Sequence, residues 1–130
     1  MKRGNVVQIL GTGAGDYHLP GGLQPGCAKE GNTWEAWQRG GKDIRHSPSM
    51  FIAPDILVEL GEGTAAQLTA YGIAHDDIRH LLFSHGHYDH FYPEKVLDFA
   101  ESLRQPLRIY GNGMIGEALD FTAANRWDDA

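Results

Sequence analysis

The feature that most constrains this chain is a histidine-rich segment placed directly after an apolar run. The run is Leu81-Leu82-Phe83, and the segment is Ser84-His85-Gly86-His87-Tyr88-Asp89-His90. We predict a buried strand that ends in a tight loop, because Gly86 frees the backbone between the first two histidines. Residues two apart on an extended segment point to the same side, so the first two imidazole rings can face one place. The loop can offer the last two polar residues to a second position nearby.

Neutral imidazoles and a carboxylate are ligands that suit zinc, with iron or manganese as further candidates. The alternative is a polar surface loop that carries histidines by chance, and the specific spacing disfavours it. The sequence therefore predicts a metal site whose ligands are His85, His87, Asp89 and His90.

These four residues match the HxHxDH signature of the metallo-β-lactamase fold superfamily, and three other segments resemble the same family. Gly11-Thr12-Gly13 follows the first predicted strand, and Glu59-Leu60-Gly61-Glu62-Gly63-Thr64 is similar to the D-C-G-E-G-T turn of the ribonuclease Z branch. Residues 41–49 resemble the segment before the next strand in phosphodiesterase-type members. The resemblance covers essentially the whole chain. It implies a hydrolase with two ions, zinc first and manganese or iron as alternatives, with His85 and His87 on one ion and Asp89 and His90 on the other.

The fold that the resemblance implies is α/β (α+β), a metallo-β-lactamase-type αββα sandwich built from two similar halves. This chain resembles the first half only, so residues 1–130 are expected to form the N-terminal part of a longer domain. Local patterns predict strands at 6–10, 49–52, 56–60, 80–84 and 107–110, the second and third forming a hairpin, and helices at 63–72, 93–104 and 114–124.

Composition and charge limit the partners and the cellular compartment that we expect for the protein. The net charge of −6 disfavours a role in coating nucleic acids. A lone cysteine, Cys27, excludes an intrachain disulfide framework and suits a reducing compartment. No apolar stretch approaches the ~20 residues that cross a bilayer, and none resembles a signal peptide. We expect a cytoplasmic protein with no membrane partner.

Three features outside the metal segment leave alternatives open. The glycine-rich stretch 14–46 contains Trp34 and Trp37, which either contact a substrate or pin the loop onto the body of the domain. Cys27 has only His18 as a nearby companion, so the structural zinc that some family members bind in this loop is not expected. Glu59 stands where the family commonly has an aspartate that supports the ligands, and its longer side chain leaves that role open.

The function implied is hydrolysis by a metal-bound hydroxide, with Asp89 as both ligand and hydrogen-bond acceptor for the attacking water. A small-molecule or nucleotide-like phosphodiester is the favoured substrate, and a lactone or thioester is the alternative. A third hypothesis is a metal- or partner-binding module without turnover, because no histidine follows His90 and the family draws further ligands from later strands. The missing ligands and the unpartnered sheet face of a half-sandwich predict a missing C-terminal half or a homo-oligomer.

Overall fold

The computed structural model describes residues 6–13, 38–40, 46–87 and 90–126. In these ranges the chain forms a mixed α/β structure with one five-stranded sheet. Its elements in chain order are β1 (Val7–Gly11), β2 (Ser49–Ile52), β3 (Ile56–Val58), α1 (Thr64–Ala70), a 3₁₀ turn (His75–Asp77), β4 (His80–Leu82), α2 (Pro93–Ser102), β5 (Arg108–Tyr110) and α3 (Gly113–Ala124). The predicted order of strands and helices is confirmed. The predictions for Cys27, Trp34 and Trp37 lie outside the described residues.

The strands lie in the sheet in the order in which they occur along the chain. The first three pair antiparallel, which confirms the hairpin predicted around the turn Ala53-Pro54-Asp55. The pairs β3–β4 and β4–β5 are parallel. Carboxyl ends of parallel strands meet at one edge of a sheet, and functional groups commonly gather there. The segments that follow β3, β4 and β5 therefore start from the same edge, which places the histidine-rich segment between the other two.

One face of the sheet is buried against the helices. Phe51, Leu57 and Leu81 occupy paired positions on neighbouring strands, and each is at most 1% exposed. Helix residues complete the same apolar core, among them Leu68, Val96, Phe99 and Ile115. Removal of this apolar surface from water is the main stabilising term for so small a domain.

The opposite face of the sheet is also apolar but stays partly open in the ranges that the structure describes. Val7 and Ile9 of β1 are 58% and 47% exposed, and Leu82 and Tyr110 of the parallel strands are 37% and 45% exposed. Monomeric proteins seldom leave a broad apolar sheet face to solvent. A further layer on this face would bury these side chains, as the predicted half-sandwich requires.

The helices begin close to where the local signals predict, but the buried face of α2 differs in detail. Pro93 is the first residue of α2, and Glu94 lies in its first turn. The periodicity predicts a buried face made of Val96, Leu97, Ala100 and Leu103. In the structure the buried residues of α2 are Val96 and Phe99, and the other three predicted residues are half-buried. Phe99 belongs to the apolar core at 4% exposure, and its ring also packs on the ring of His75, with centroids 5.2 Å apart. Among the described residues, no helix combines the length and apolar character that a membrane span requires.

Candidate metal site

The backbone of the histidine-rich segment is fixed to the strands on both sides. The amide of Phe83 donates to the carbonyl of Tyr110 at 2.9 Å, which holds the start of the loop against the end of β5. The carbonyl of His87 accepts from the amides of His90 and Phe91 at 2.9 and 2.8 Å, so the chain turns back on itself. The carbonyl of His90 then accepts from the amide of Leu60 at 2.8 Å. The loop therefore closes onto the segment that follows β3.

This turn brings the three described histidines of the segment together. The ring centroids of His85 and His87 are 4.6 Å apart, and those of His85 and His90 are 4.1 Å apart. His87 is an exposed residue, whereas His85 and His90 are half-buried. Asp89, the fourth predicted ligand, lies outside the described residues. Its part in the site stays a prediction.

Ser84 and Glu59 form contacts that position the histidine-rich segment. Oγ of Ser84 lies 2.8 Å from Nδ1 of His85, and the Ser84 amide donates to Oε1 of Glu59 at 2.8 Å. With Nδ1 of His85 engaged in this way, ligation by that ring would use Nε2. The Ser84 hydroxyl therefore orients the ring of His85.

Glu59 is a buried carboxylate placed against a predicted ligand. Its residue is 6% exposed, and its Oε2 lies 3.3 Å from Nδ1 of His90, an ion-pair distance that falls short of a full hydrogen bond. A carboxylate that faces the second nitrogen of an imidazole fixes the ring and raises its basicity as a ligand. The role left open for Glu59 by its extra methylene group is therefore supported by the geometry.

Glu59 also has an uncommon backbone conformation. Its φ of 67° lies in the left-handed region, which is uncommon for a residue other than glycine. The amide of Glu59 donates to the carbonyl of Leu82, and its carbonyl accepts from Oγ of Ser49, so both neighbouring strands hold it in place. Strained positions of this kind cluster at functional sites, where the surrounding structure maintains them.

The chemistry of these residues fits a zinc-type ion, but the described residues do not complete a ligand set. Three imidazoles converge, and two of them have Nδ1 beside an oxygen of Ser84 or Glu59, an arrangement typical of metal-binding histidines. Within residues 6–13, 38–40, 46–87 and 90–126, no group of three or more His, Cys, Asp or Glu side chains is arranged to hold an ion.

The substitution Glu59→Gln tests the contact of this carboxylate with His90. The amide oxygen of the substituted side chain can still accept from the Ser84 amide, but the charge that faces His90 is lost. We expect zinc affinity to fall by about 10- to 100-fold, the usual cost of removing such a supporting group. Isothermal titration with zinc measures the change, and Glu62→Gln, an exposed carboxylate on the same segment, is the matched control. Equal affinities of Glu59→Gln and the unmutated chain would contradict the supporting role.

The arrangement of the sheet, with a histidine-rich loop at the carboxyl edge of β4, is that of the metallo-β-lactamase fold. Comparison with solved structures confirms this resemblance. The chain superposes on human tRNase Z, short form, with a TM-score of 0.61 and 23% sequence identity over 91% of its residues. It superposes on a diphosphatase from the PhnP family with a TM-score of 0.62 and 20% identity, also over 91%.

The chain spans 39% and 45% of the lengths of these two structures. At identities this low, the comparison establishes the shared fold. No protein-family model and no curated protein matches the sequence.

Proposed function

We propose that this chain forms part of a metal-dependent hydrolase that cleaves phosphodiesters, with His85, His87, Asp89 and His90 as metal ligands. The observation that carries the proposal is the convergence of three histidine rings at the carboxyl edge of a metallo-β-lactamase-type sheet. The buried carboxylate of Glu59 behind His90 supports the same conclusion, because a chance surface loop has no need of it. The structural neighbours include a tRNase and a diphosphatase, whose substrates both contain phosphate esters or anhydrides.

The residues of the site would have two roles, which are to bind the ions and to orient the attacking water. Divalent ions such as zinc lower the pKa of water toward neutrality and neutralise charge that builds on a phosphoryl oxygen. His85 and His87 would hold one ion, with the ring of His85 steadied by Ser84. Asp89 and His90 would hold a second, with His90 steadied by Glu59. The Asp89 carboxylate would also accept a hydrogen bond from the attacking water and orient it toward phosphorus.

Two alternatives use the same residues. A lactone or thioester develops its negative charge on a carbonyl oxygen, which the same ions could stabilise, so the ligand set alone does not select the phosphodiester. A binding module without turnover is the second alternative. The observation that favours it is the lack of a complete three-ligand group among the described residues.

We further propose that the open face of the sheet is covered in the working protein by a second layer, either more of a longer chain or a second copy. The exposed apolar side chains of β1, β4 and β5 support this, as does the coverage of less than half of each structural neighbour. The layer would also be the source of the missing ligands. The single cysteine suits a reducing compartment such as the cytoplasm.

The test is to titrate one sample of the 130-residue chain with zinc or manganese while following three properties. At each step we measure metal content, sedimentation and hydrolysis. The substrates compared are a chromogenic phosphodiester, a chromogenic lactone and a thioester. We expect metal-dependent cleavage of the phosphodiester in preference to the other two, and association of the chain through its open face. Preference for the lactone or thioester would contradict the substrate class. Metal binding with no turnover of any substrate, in an associated form, would favour the binding module.

A further inference from the structure

A buried hydroxyl at the start of β2 contacts the segment that supports the ligand loop. Ser49 is the first residue of β2 and is 7% exposed. Its Oγ lies 3.0 Å from the carbonyl oxygen of Val58 and 2.9 Å from that of Glu59, and its single hydrogen is shared between these two acceptors. Backbone pairing between β2 and β3 ends at Met50 and Val58. The Ser49 hydroxyl therefore continues the contact between the two strands one position beyond their last paired residues.

The residue held there has an unfavourable backbone conformation. The φ of Glu59 is 67°, and in this left-handed region the Cβ of an ordinary residue crowds the following carbonyl oxygen. Such a conformation persists only where surrounding contacts maintain it. The Glu59 amide donates to the carbonyl of Leu82 at 2.8 Å, and the Glu59 carbonyl accepts from Ser49. The second of these contacts comes from a side chain, so a substitution can remove it while the backbone hydrogen bonds of the sheet remain.

The conformation of Glu59 sets the direction of its carboxylate. With this backbone, Oε1 accepts from the amide of Ser84 at 2.8 Å, and Oε2 lies 3.3 Å from Nδ1 of His90. A return of Glu59 to extended backbone angles would redirect its Cα–Cβ bond and withdraw the carboxylate from both contacts. The orientation of the His90 ring therefore depends on what holds the Glu59 backbone.

We propose that Ser49 is a positioning residue for the metal site, because its hydroxyl holds Glu59 in the conformation that directs the carboxylate to His90. This inference rests on the proposed function, in which His90 is a metal ligand, and adds a residue that acts on that ligand through Glu59. Ser49 itself contacts neither the histidines nor the metal in this scheme.

Ser47 provides a matched comparison within the same segment. It lies two residues before Ser49, is 2% exposed, and its Oγ donates to the carbonyl of Glu62 at 2.6 Å. Glu62 is an exposed residue. Both serines thus bond the turn that follows β3 through a buried hydroxyl, but Ser47 holds the far end of the turn and Ser49 holds the residue that faces His90.

Zinc titration of the 130-residue chain and its variants gives the magnitude. We expect Ser49→Ala to weaken zinc binding by about three- to tenfold, a smaller effect than direct loss of the supporting carboxylate. Ser47→Ala should match the unmutated chain. Ser49→Ala should add little to the loss in Glu59→Gln, because residues that act through one contact are not additive. Unchanged affinity in Ser49→Ala, an equal loss in Ser47→Ala, or full additivity with Glu59→Gln would each overturn the inference.

The ring nitrogens of His90 give a readout that does not require zinc. In the metal-free chain at alkaline pH, their ¹⁵N chemical shifts, assigned by their loss in His90→Ala, show which nitrogen carries the proton. A carboxylate beside Nδ1 favours protonation there. Ser49→Ala and Glu59→Gln should therefore both shift the proton toward Nε2, whereas Ser47→Ala should not. Ser49→Cys keeps a side chain of similar size with only a weak donor, and it gives the same comparison if Ser49→Ala does not fold.

The two measurements separate this inference from the proposed function. Unchanged His90 shifts in the folded Ser49 variants would overturn the positioning role, whether or not zinc binds. Changed shifts in a chain that binds no zinc would uphold the link from Ser49 through Glu59 to His90 and refute the proposed metal site.

Discussion

Replacement of His85 and His87 together by alanine is expected to abolish binding at the first ion position. These two residues are its only protein ligands from this chain in the proposed scheme, and zinc sites use three or four ligands in all. Their ring centroids lie 4.6 Å apart. Loss of both imidazoles leaves no nitrogen donor from this part of the loop.

Elemental analysis of the dialysed protein measures this effect. The unmutated chain and the double variant are loaded with zinc under the same conditions, and metal per chain is compared. His80→Ala is the control, because His80 lies on β4 outside the ligand spacing and its Nδ1 already lies 3.0 Å from the Tyr110 hydroxyl. Circular dichroism should show that all variants keep their secondary structure. Unchanged metal content in the double variant would refute the assignment of these ligands.

Replacement of Asp89 by asparagine is expected to leave the fold intact and to reduce turnover by about 10²- to 10⁴-fold, the range for a group that assists proton transfer. Asparagine keeps the shape of the side chain but loses the negative charge that would bind the second ion and orient the water. Both losses act on the chemical step. We therefore expect the fall in kcat to exceed any rise in KM.

Steady-state kinetics with a chromogenic phosphodiester at saturating metal measures the effect. Asp98→Asn is the matched control, because Asp98 lies on α2 and its Oδ1 pairs with the guanidinium of Arg126 at 2.6 Å. That variant should keep the rate of the unmutated chain. An Asp89→Asn protein with full activity would show that the carboxylate has no part in the reaction.

The sequence alone determined most of the local structure and the candidate ligands. The hairpin around Ala53-Pro54-Asp55 and the start of α2 at Pro93 follow from turn and helix-start preferences, which depend on neighbours along the chain. The ligand segment was recognisable for the same reason. Its four candidate ligands lie within six residues, and they follow a short apolar strand.

Tertiary structure decided which side chains each element buries. The apolar positions of α2 allowed several inward faces, and packing against the core of the domain buries the face that carries Val96 and Phe99. Apolar residues lie on both faces of the sheet, so periodicity could not say that Val7 and Ile9 would stay exposed while Phe51 is buried. Burial depends on what another element brings to a face, and the periodicity of a single strand does not contain that information.

The tertiary structure also determined which side chain supports the predicted ligands. Glu59 faces His90, although the two residues are far apart along the chain. The sequence indicated this contact only through resemblance. The contact exists because β3 and β4 lie side by side and parallel, so that the segments after them leave one edge of the sheet. Local sequence patterns determine which residues are candidate ligands, whereas the order of the strands determines which residues contact those ligands.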